Sequence, residues 1–219
     1  MLPSLLACSL GAAQDAKAPS ASASEGLRFS QAGHYVSVLG SKFHTNRTSM
    51  LSLIGLTARR EHAVEVGSLL GVSTRVLANT FARVTSVDAY QAGYDADDIN
   101  AGVSRLALAR DLFSVRFFDD PKVTQLRTSS AVACQSFQDG SIDFVFLDAG
   151  HNYQAISDDL ACWVPKVRDG GVVSGDDYLW PNGGVRRAVH EASKKRHLHV
   201  HVYGERWALT KKQGRTSQS

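Results

Sequence analysis

Short apolar runs alternate with stretches of helical periodicity from about Leu27 onward. Residues 63–66, 84–87 and 142–147 are rich in the β-branched and aromatic side chains of buried strands. A weaker run of the same kind covers residues 123–127. Between these runs, apolar residues recur every three or four positions, which is typical of helices that cover a sheet. The pattern predicts an α/β fold with a doubly wound, mostly parallel sheet covered on both faces.

The second half of the chain extends this pattern and ends in a hairpin. Apolar residues spaced by three, four and three positions predict one buried helix face, formed by Tyr153, Ile156, Leu160 and Trp163. Pro165 and a turn at residues 169–171 are expected to end that helix. A short strand at residues 172–174 and another amphipathic helix follow. Residues 199–203 and 206–210 predict two closing strands, and hence an antiparallel strand at the C-terminal edge of the sheet.

One domain is expected over residues 27–212, flanked by a disordered leader at 1–26 and a flexible tail at 213–219. The leader combines a short apolar stretch with Ala/Ser-rich sequence. Because no basic residue precedes Lys17, a targeting segment is the weaker alternative. No run approaches the roughly 18 apolar residues of a membrane helix. Residues 51–56 are expected to form a helix that packs over the ligand site as a cap.

Composition restricts the possible partners only slightly. The hydrophobic fraction is 43% and the charged fraction is 21%, as in ordinary globular proteins. The formal net charge of +3 is too small to indicate a nucleic-acid or membrane partner. The three cysteines, Cys8, Cys134 and Cys162, have neither metal-ligand spacing nor an even count. We therefore expect no disulfide framework and a reducing, cytoplasmic location.

A glycine-containing turn separates the first predicted strand from the helix that follows it. In this Glu65-Val-Gly67-Ser-Leu-Leu-Gly71 segment, glycine permits positive φ and a close approach of the backbone to a ligand. Ser73 is a candidate N-cap for the helix. Asp88 ends the next strand, where a carboxylate can accept both hydroxyls of a ribose. Leu69 replaces the second glycine of a dinucleotide-binding G-x-G-x-x-G motif, so NAD and FAD are disfavoured, and a purely structural turn is the alternative.

Carboxylates follow two consecutive strands in the second half of the chain. Asp148 comes after residues 142–147, and Asp176 and Asp177 come after the next strand. A strand–helix–strand crossover makes these strands neighbours, so the three carboxylates should converge at one edge of the sheet. Close carboxylates repel one another unless they are protonated or bind a cation, and oxygen ligands suit Mg²⁺. The alternative for Asp176 and Asp177 is a turn and N-cap role before the next helix.

His151 lies three residues beyond Asp148, at the start of a predicted helix. A hydroxyl is a poor nucleophile at neutral pH, but a divalent cation lowers its pKa and an imidazole can take its proton. His151 is therefore the candidate general base, with helix capping and substrate binding as alternatives.

These motifs resemble the class I S-adenosylmethionine-dependent methyltransferases. The resemblance is carried by the glycine turn, by Asp88, and above all by S-I-D-F-V-F-L-D-A-G-H-N-Y and G-G-V-V-S-G-D-D-Y. Within this class, the chain is most similar to cation-dependent O-methyltransferases of the macrocin O-methyltransferase type. The resemblance implies a Rossmann-like methyltransferase fold, with S-adenosylmethionine and Mg²⁺ as cofactors. The glycine motif is sparser than the E-x-G-x-G-x-G of that class.

The resemblance also implies which residues form the site. The cofactor-binding set is Glu65, Gly67, Ser68, Gly71, Ser73, Asp88, Ser129, Ser130 and Asp148. The metal ligands are Asp148, Asp176 and Asp177, and the base is His151.

We therefore expect Mg²⁺-assisted O-methylation of a small hydroxylated molecule, such as a sugar or a secondary metabolite. A metal-independent enzyme that uses His151 on an oxygen or nitrogen acceptor is the first alternative. The second is a non-catalytic module that binds S-adenosylmethionine as a regulatory ligand. No basic stripe with interleaved aromatic residues flanks the site, so nucleic acid is not an expected partner. The identity of the acceptor and the oligomeric state stay open.

Overall fold

This computed structural model describes residues 48–93 and 102–211. Seven strands within these ranges form one sheet. The strands are β1 (His62–Val66), β2 (Arg83–Val87), β3 (Val123–Leu126), β4 (Ile142–Leu147), β5 (Val167–Gly175), β6 (His199–Tyr203) and β7 (Arg206–Thr210). The predicted leader and tail lie outside the described residues.

The order across the sheet is β3-β2-β1-β4-β5-β7-β6. Strands β1 to β5 pair in parallel, whereas β7 is antiparallel to both β5 and β6. The structure thus confirms the predicted doubly wound, mostly parallel sheet with an antiparallel C-terminal hairpin.

Helices cover both faces of this sheet. They are α1 (residues 48–54), α2 (Val72–Ala78), α3 (Val103–Arg116), α4 (Ser130–Gln135), α5 (Tyr153–Lys166) and α6 (Gly184–Arg196), with a 3₁₀ turn at Pro181–Gly183. Among the described helices, none combines the length and the apolar character that crossing a membrane requires.

Alternate side chains of the central strands enter two apolar cores, one on each face. On β4, Val145 and Leu147 belong to one core, whereas Phe144 and Phe146 belong to the other. Helices α5 and α6 cover the first core, and α1 and α2 cover the second. The near-continuous apolar run of β4 therefore reflects burial on both of its faces.

The prediction that residues 51–56 cap the ligand site was wrong. Met50, Leu53 and Ile54 of α1 are buried in the second core, against the sheet. No residue of α1 lines the cavity described below. Apolar spacing shows that a helix has a buried face, but it does not show which surface that face covers.

Three local predictions also differ from the structure. Helix α2 begins at Val72, so Ser73 is not its N-cap, and its hydroxyl donates instead to Glu65. Helix α6 begins after Gly183, which excludes an N-cap role for the two aspartates that follow β5. The predicted turn at residues 169–171 lies inside β5, where the pairing with β4 shifts register at a bulge.

Pro165 lies within α5 and does not end it before Lys166. A proline at this position cannot donate to the carbonyl of Ala161, four residues earlier. The guanidinium of Arg196 on α6 donates to that carbonyl oxygen instead, at 3.2 Å. A contact from α6 thus satisfies the Ala161 carbonyl, which lacks a helical donor because Pro165 has no backbone N–H.

The expectation of no disulfide is contradicted by a bond between Cys134 on α4 and Cys162 on α5. Their Cα atoms lie 6.3 Å apart, and 28 residues separate them in sequence. The odd cysteine count was misleading because two of the three cysteines meet only when α4 packs against α5. Disulfides persist mainly in oxidising compartments, so the cysteine count no longer supports a cytoplasmic location.

Replacing both cysteines in Cys134→Ala/Cys162→Ala is expected to lower the free energy of unfolding by about 2–4 kcal/mol, because the bond restricts the unfolded chain. Urea denaturation of the oxidised protein and of the double variant measures this difference. Alkylation in urea without reductant, followed by mass spectrometry, checks the bond itself. Labelling of both cysteines before reduction would contradict the pairing.

Candidate active site

Gly67 brings the carboxyl ends of β1 and β4 into contact. Its φ is +88°, and a Cβ at this position would lie 1.9 Å from the carbonyl oxygen of Asp148. The N–H of Gly67 donates to Val87 O and the N–H of Asp148 donates to Val66 O, both at 2.8 Å. Only glycine fits this crossing. Because β2 and β4 flank β1, the crossing is the switch point of the sheet, where ligands bind in α/β folds.

A cavity of about 750 Å³ opens above this switch point. Its walls come from the ends of β1, β2 and β4 and from the segments that follow β3 and β5. A volume in this range is typical of a site for small ligands. The side chains that offer polar or aromatic groups to it are Asp88, Tyr90, Gln91, Thr128, Ser129, Ser130, Asp148, His151, Asp177 and Trp180.

Asp88 lies on the wall formed by the end of β2. One carboxylate oxygen accepts the N–H of Leu69 at 2.9 Å, and the other accepts the N–H of Tyr90 at 2.7 Å. Burial raises the pKa of Asp88, and these backbone amides oppose that increase. The backbone N–H of Ser68 also stabilises this carboxylate. A carboxylate offers about four lone-pair sites, so Asp88 can still accept a hydroxyl donor from a ligand.

Tyr90 joins this wall to the glycine turn. Its hydroxyl donates to Leu69 O at 2.9 Å, and the side-chain amide of Gln125 donates to that hydroxyl at 3.2 Å. Leu69 and Tyr90 both have positive φ, 43° and 48°, which is uncommon for residues other than glycine. Such backbone conformations persist where surrounding contacts enforce them, and they concentrate at functional sites.

Glu65 lies beneath the glycine turn and does not line the cavity. Its carboxyl group accepts hydrogen bonds from the hydroxyls of Ser73 and Thr74, at the start of α2. Burial raises the pKa of Glu65 to about 7, despite these hydrogen bonds. The predicted residues Glu65 and Ser73 therefore shape the turn from below.

Ser68 and Gly71 are also absent from the cavity wall. Ser68 is buried. Gly71 has a φ of +73°, and a Cβ there would lie 2.4 Å from the ring of Phe117. Gly71 thus packs against the end of α3, and its role in ligand binding stays a prediction.

Ser129 and Ser130 line the cavity at the start of α4. The hydroxyl of Ser129 is the N-cap of α4 and accepts the N–H of Val132. The hydroxyl of Ser130 donates to Asp159 and accepts the indole N–H of Trp163 at 2.8 Å. Burial raises the pKa of Asp159 to about 6. Helix α5 therefore fixes this part of the wall.

The opposite end of the cavity is acidic. Nε2 of His151 lies 2.9 Å from Oδ2 of Asp177 and 4.0 Å from Oδ1 of Asp148. Desolvation raises the pKa of Asp148 well above its ordinary value, and the neighbouring carboxylates of Asp176 and Asp177 add to that increase. This end thus carries more negative charge than its protein partners balance.

Trp180 and the backbone of Asp177 hold His151 on this wall. The ring centroids of His151 and Trp180 lie 4.4 Å apart with the planes inclined by 35°. Asp177 has a φ of 60°, and its carbonyl oxygen accepts the N–H of Trp180 at 2.9 Å. The left-handed backbone turns the Asp177 carboxylate towards the imidazole.

Asp176 has a different partner from the other two aspartates. Its Oδ2 lies 3.1 Å from Nε of Arg206, and its Oδ1 accepts the N–H of Asp177 at 3.1 Å. Its backbone carbonyl accepts the indole N–H of Trp207 at 3.0 Å. Asp176 is close enough to Asp148 to raise its pKa, but its carboxylate does not line the cavity.

A family model described as a methyltransferase domain matches residues 64–178, which is more than half of the chain. The chain belongs to this family. It is a class I S-adenosylmethionine-dependent methyltransferase, and the matched segment runs from β1 to the acidic residues after β5. A search of curated proteins finds no significant match.

Solved structures with the same fold include several methyltransferases of low sequence identity. The O-methyltransferase NovP is 18% identical, with a TM-score of 0.57 over 78% of this chain and 79% of that one. A putative caffeoyl-CoA O-methyltransferase from Staphylococcus aureus is 12% identical, with a TM-score of 0.56 over 86% and 91%. CalS11, a TDP-rhamnose 3′-O-methyltransferase of calicheamicin biosynthesis, is 14% identical, with a TM-score of 0.54 over 76% and 79%.

The acidic end of this methyltransferase can accommodate a divalent cation. Asp148, His151 and Asp177 each offer one ligand atom, and these atoms lie within 4.8 Å of one another. Carboxylate oxygens suit Mg²⁺, and an added imidazole nitrogen also suits metals such as Mn²⁺. Burial is the main cause of the raised pKa of Asp148, and the neighbouring carboxylates of Asp176 and Asp177 add a repulsion that a cation would relieve. The donor set therefore fits such an ion.

The sequence prediction missed three residues of the methyltransferase site. Tyr90 and Trp180 each follow a predicted acid by two or three positions, so their proximity to the site had a signal in the sequence. Arg206 had none, because its pairing with Asp176 depends on the antiparallel insertion of β7 beside β5.

Gly67→Ala is expected to lower the free energy of unfolding by more than about 3 kcal/mol, because the new Cβ would overlap the Asp148 carbonyl. The matched control is Gly140→Ala, because Gly140 has a φ of +67° and no atom of a described residue lies within 4 Å of its Cβ position. Urea denaturation of both variants separates steric overlap from the intrinsic penalty of positive φ, which is on the order of 1 kcal/mol. Equal losses in the two variants would contradict the close crossing.

Proposed function

We propose that this methyltransferase transfers the methyl group of S-adenosylmethionine to a hydroxyl oxygen of a small molecule, with the assistance of Mg²⁺. The observation that carries the proposal is the cluster of Asp148, His151 and Asp177 at one end of the cavity whose other end is the glycine turn. An oxygen acceptor needs a base and a counter-charge, and this cluster offers both.

At the cofactor end, Asp88 is the candidate partner of the ribose hydroxyls, because backbone amides already fix its carboxylate. Ser129 and Ser130 are the candidates beside the adenine. Gly67 leaves room for the methionine part of the cofactor near the crossing of β1 and β4. This orientation directs the sulfonium methyl group towards Asp148.

At the acceptor end, Nε2 of His151 and Oδ1 of Asp148 are 4.0 Å apart, too far for a hydrogen bond. A hydroxyl group can enter between them. As its oxygen attacks the methyl carbon, the carbon–sulfur bond breaks and the electron pair stays on sulfur. His151, in the neutral tautomer that carries its proton on Nδ1, takes the hydroxyl proton at Nε2. Asp177 stabilises the imidazolium that forms, at 2.9 Å from Nε2. Most of the acceleration comes from holding the two reactants in line.

Asp148 and Asp177 are the candidate ligands of a divalent cation, which would lower the pKa of the acceptor hydroxyl when it is bound. The family resemblance implies Asp176 as a third ligand, and this stays a prediction; the structure shows its Oδ2 3.1 Å from Nε of Arg206. A metal-independent reaction at an oxygen or nitrogen remains the competing proposal, since His151 and Asp177 already form a pair without an ion.

A small acceptor is supported by the size of the cavity and by the aromatic wall at Trp180. Among the proteins of similar fold, CalS11 methylates a TDP-sugar. A sugar or a similarly hydroxylated metabolite is therefore the proposed substrate class. A cytoplasmic location remains a prediction.

The test supplies methyl-labelled S-adenosylmethionine and Mg²⁺ with a panel of nucleotide sugars and catechols, and identifies the products by mass spectrometry. We expect an O-methylated product, and a rate that falls at least about tenfold in EDTA and recovers with Mg²⁺. His151→Asn should lower kcat by about 10²–10⁴-fold, because the proton acceptor is lost. Calorimetry should show an unchanged Kd for S-adenosylhomocysteine.

His199→Asn, at an exposed position on β6, is the matched histidine control and should leave kcat unchanged. A rate that is insensitive to EDTA would contradict the role of the cation. Methylation at nitrogen would contradict the proposed acceptor atom.

A further inference from the structure

Helix α4 is too short to be stable without contacts from the rest of the protein. It spans six residues, Ser130–Gln135, whereas isolated helices shorter than about 12–15 residues are marginal in water. Its buried side chains are those of Ala133 and Cys134. The position of α4 therefore depends on what these side chains and their neighbours contact. That position affects the cavity, because Ser129 and Ser130 at the start of α4 line its wall.

Two side-chain links join α4 to α5, and both use the same faces of the two helices. Ser130 and Cys134 are four residues apart and share one face of α4, as Asp159, Cys162 and Trp163 do on α5. Beside the cavity, the Ser130 hydroxyl donates to Asp159 and accepts the indole N–H of Trp163 at 2.8 Å. One turn further along α4, the disulfide joins Cys134 to Cys162. The bond thus supports the same helix whose first turn forms the wall.

The two links differ in how firmly they hold α4. A short helix that is held by hydrogen bonds can open locally while the rest of the protein stays folded. The disulfide limits such opening, because Cys162 belongs to the 14-residue helix α5, which buries Ile156, Leu160 and Val164 in the first core. Breaking the bond therefore removes the covalent restraint on α4 but leaves α5 in place.

We propose that the Cys134–Cys162 disulfide is a redox switch of cofactor affinity. When a dithiol reduces the bond, α4 opens more often and the site binds S-adenosylmethionine more weakly. The inference rests on one part of the proposed function, the placement of the cofactor beside Ser129 and Ser130. It does not depend on the methyl acceptor or on a cation.

Cys162 is the more accessible of the two cysteines. Cys134 is fully buried, whereas Cys162 is half-buried and its Sγ lies 3.6 Å from Nε2 of the exposed Gln135. One thiolate of the dithiol attacks Cys162 Sγ, the S–S bond breaks, and Cys134 leaves with the electron pair and takes a proton from water. The second thiolate of the reductant then closes its own disulfide and releases Cys162, which also becomes a thiol. Two electrons thus pass from the dithiol to the two cysteine sulfurs.

A change in affinity distinguishes this switch from a disulfide that only stabilises the fold. A bond that acts only on the unfolded chain changes the free energy of unfolding but not the Kd of the folded protein. A bond that holds α4 in the position for binding does change the Kd, because only molecules with α4 in place bind the cofactor. Linkage then requires that the bound cofactor oppose reduction by the same factor.

Isothermal calorimetry with S-adenosylhomocysteine, without added metal, measures the Kd of the full-length protein before and after reduction by dithiothreitol. The temperature is one at which thermal unfolding shows both forms to be folded. We expect reduction to raise the Kd at least about fivefold. Cys134→Ala/Cys162→Ala should bind as weakly as the reduced wild type and should not respond to dithiothreitol. Cys8→Ser, which keeps both partners of the bond, is the matched cysteine control and should respond as the wild type does.

Hydrogen exchange measured by mass spectrometry locates the change. Reduction should speed exchange at residues 131–135 at least about tenfold, whereas the amides of β1 and β4 should keep their protection. Equilibration in mixtures of reduced and oxidised dithiothreitol, followed by alkylation, measures the reverse effect. Saturating S-adenosylhomocysteine should shift this equilibrium towards the disulfide by the same factor as the ratio of the two Kd values.

A Kd that reduction leaves unchanged while the thermal midpoint falls would overturn the proposal, because the bond would then stabilise only the fold. Loss of protection throughout the sheet on reduction would also overturn it, because the opening would not be confined to α4. Failure of the proposed function is a separate result, since it would appear as an absence of O-methylated product with the oxidised protein.

Discussion

The contact between Gly67 and the Asp148 carbonyl is the constraint on which the site depends. It allows β1 and β4 to end side by side, with a separation that no side chain at position 67 would permit. The two strand ends carry different parts of the chemistry. In the proposed function, the turn after β1 forms the floor of the cofactor end, and Asp148 after β4 begins the acidic end. On that proposal, the same crossing sets the distance between donor and acceptor.

Charge is the second organising feature of the molecule. Five carboxyl groups lie at the carboxyl edge of the sheet, and each has different polar or charged neighbours. They belong to Glu65, Asp88, Asp148, Asp176 and Asp177. Burial raises the pKa of both Glu65 and Asp88; hydroxyl groups oppose that increase at Glu65, whereas backbone amides oppose it at Asp88. Arg206 balances Asp176. The carboxylates of Asp148 and Asp177 face the cavity, where we propose that the cofactor and a divalent cation bind.

Local sequence signals predicted the features that depend on neighbouring residues along the chain. The strand ends at Asp88, Asp148 and Asp177 follow from apolar runs that stop at an acid, and the sheet order then brings them to one edge. Features that depend on contacts between distant elements were missed. The Cys134–Cys162 bond needs α4 against α5, and the pairing of Arg206 with Asp176 needs β7 inserted beside β5. Neither contact leaves a periodic pattern in the sequence.

We propose that the crossing at Gly67 directs the cofactor methyl group towards the acidic end of the cavity. A crystal structure of the complex with S-adenosylmethionine tests this directly. We expect the ribose hydroxyls to bind the Asp88 carboxylate and the sulfonium methyl group to face the space between Asp148 and His151. A cofactor bound elsewhere, or a methyl group directed away from His151, would contradict it.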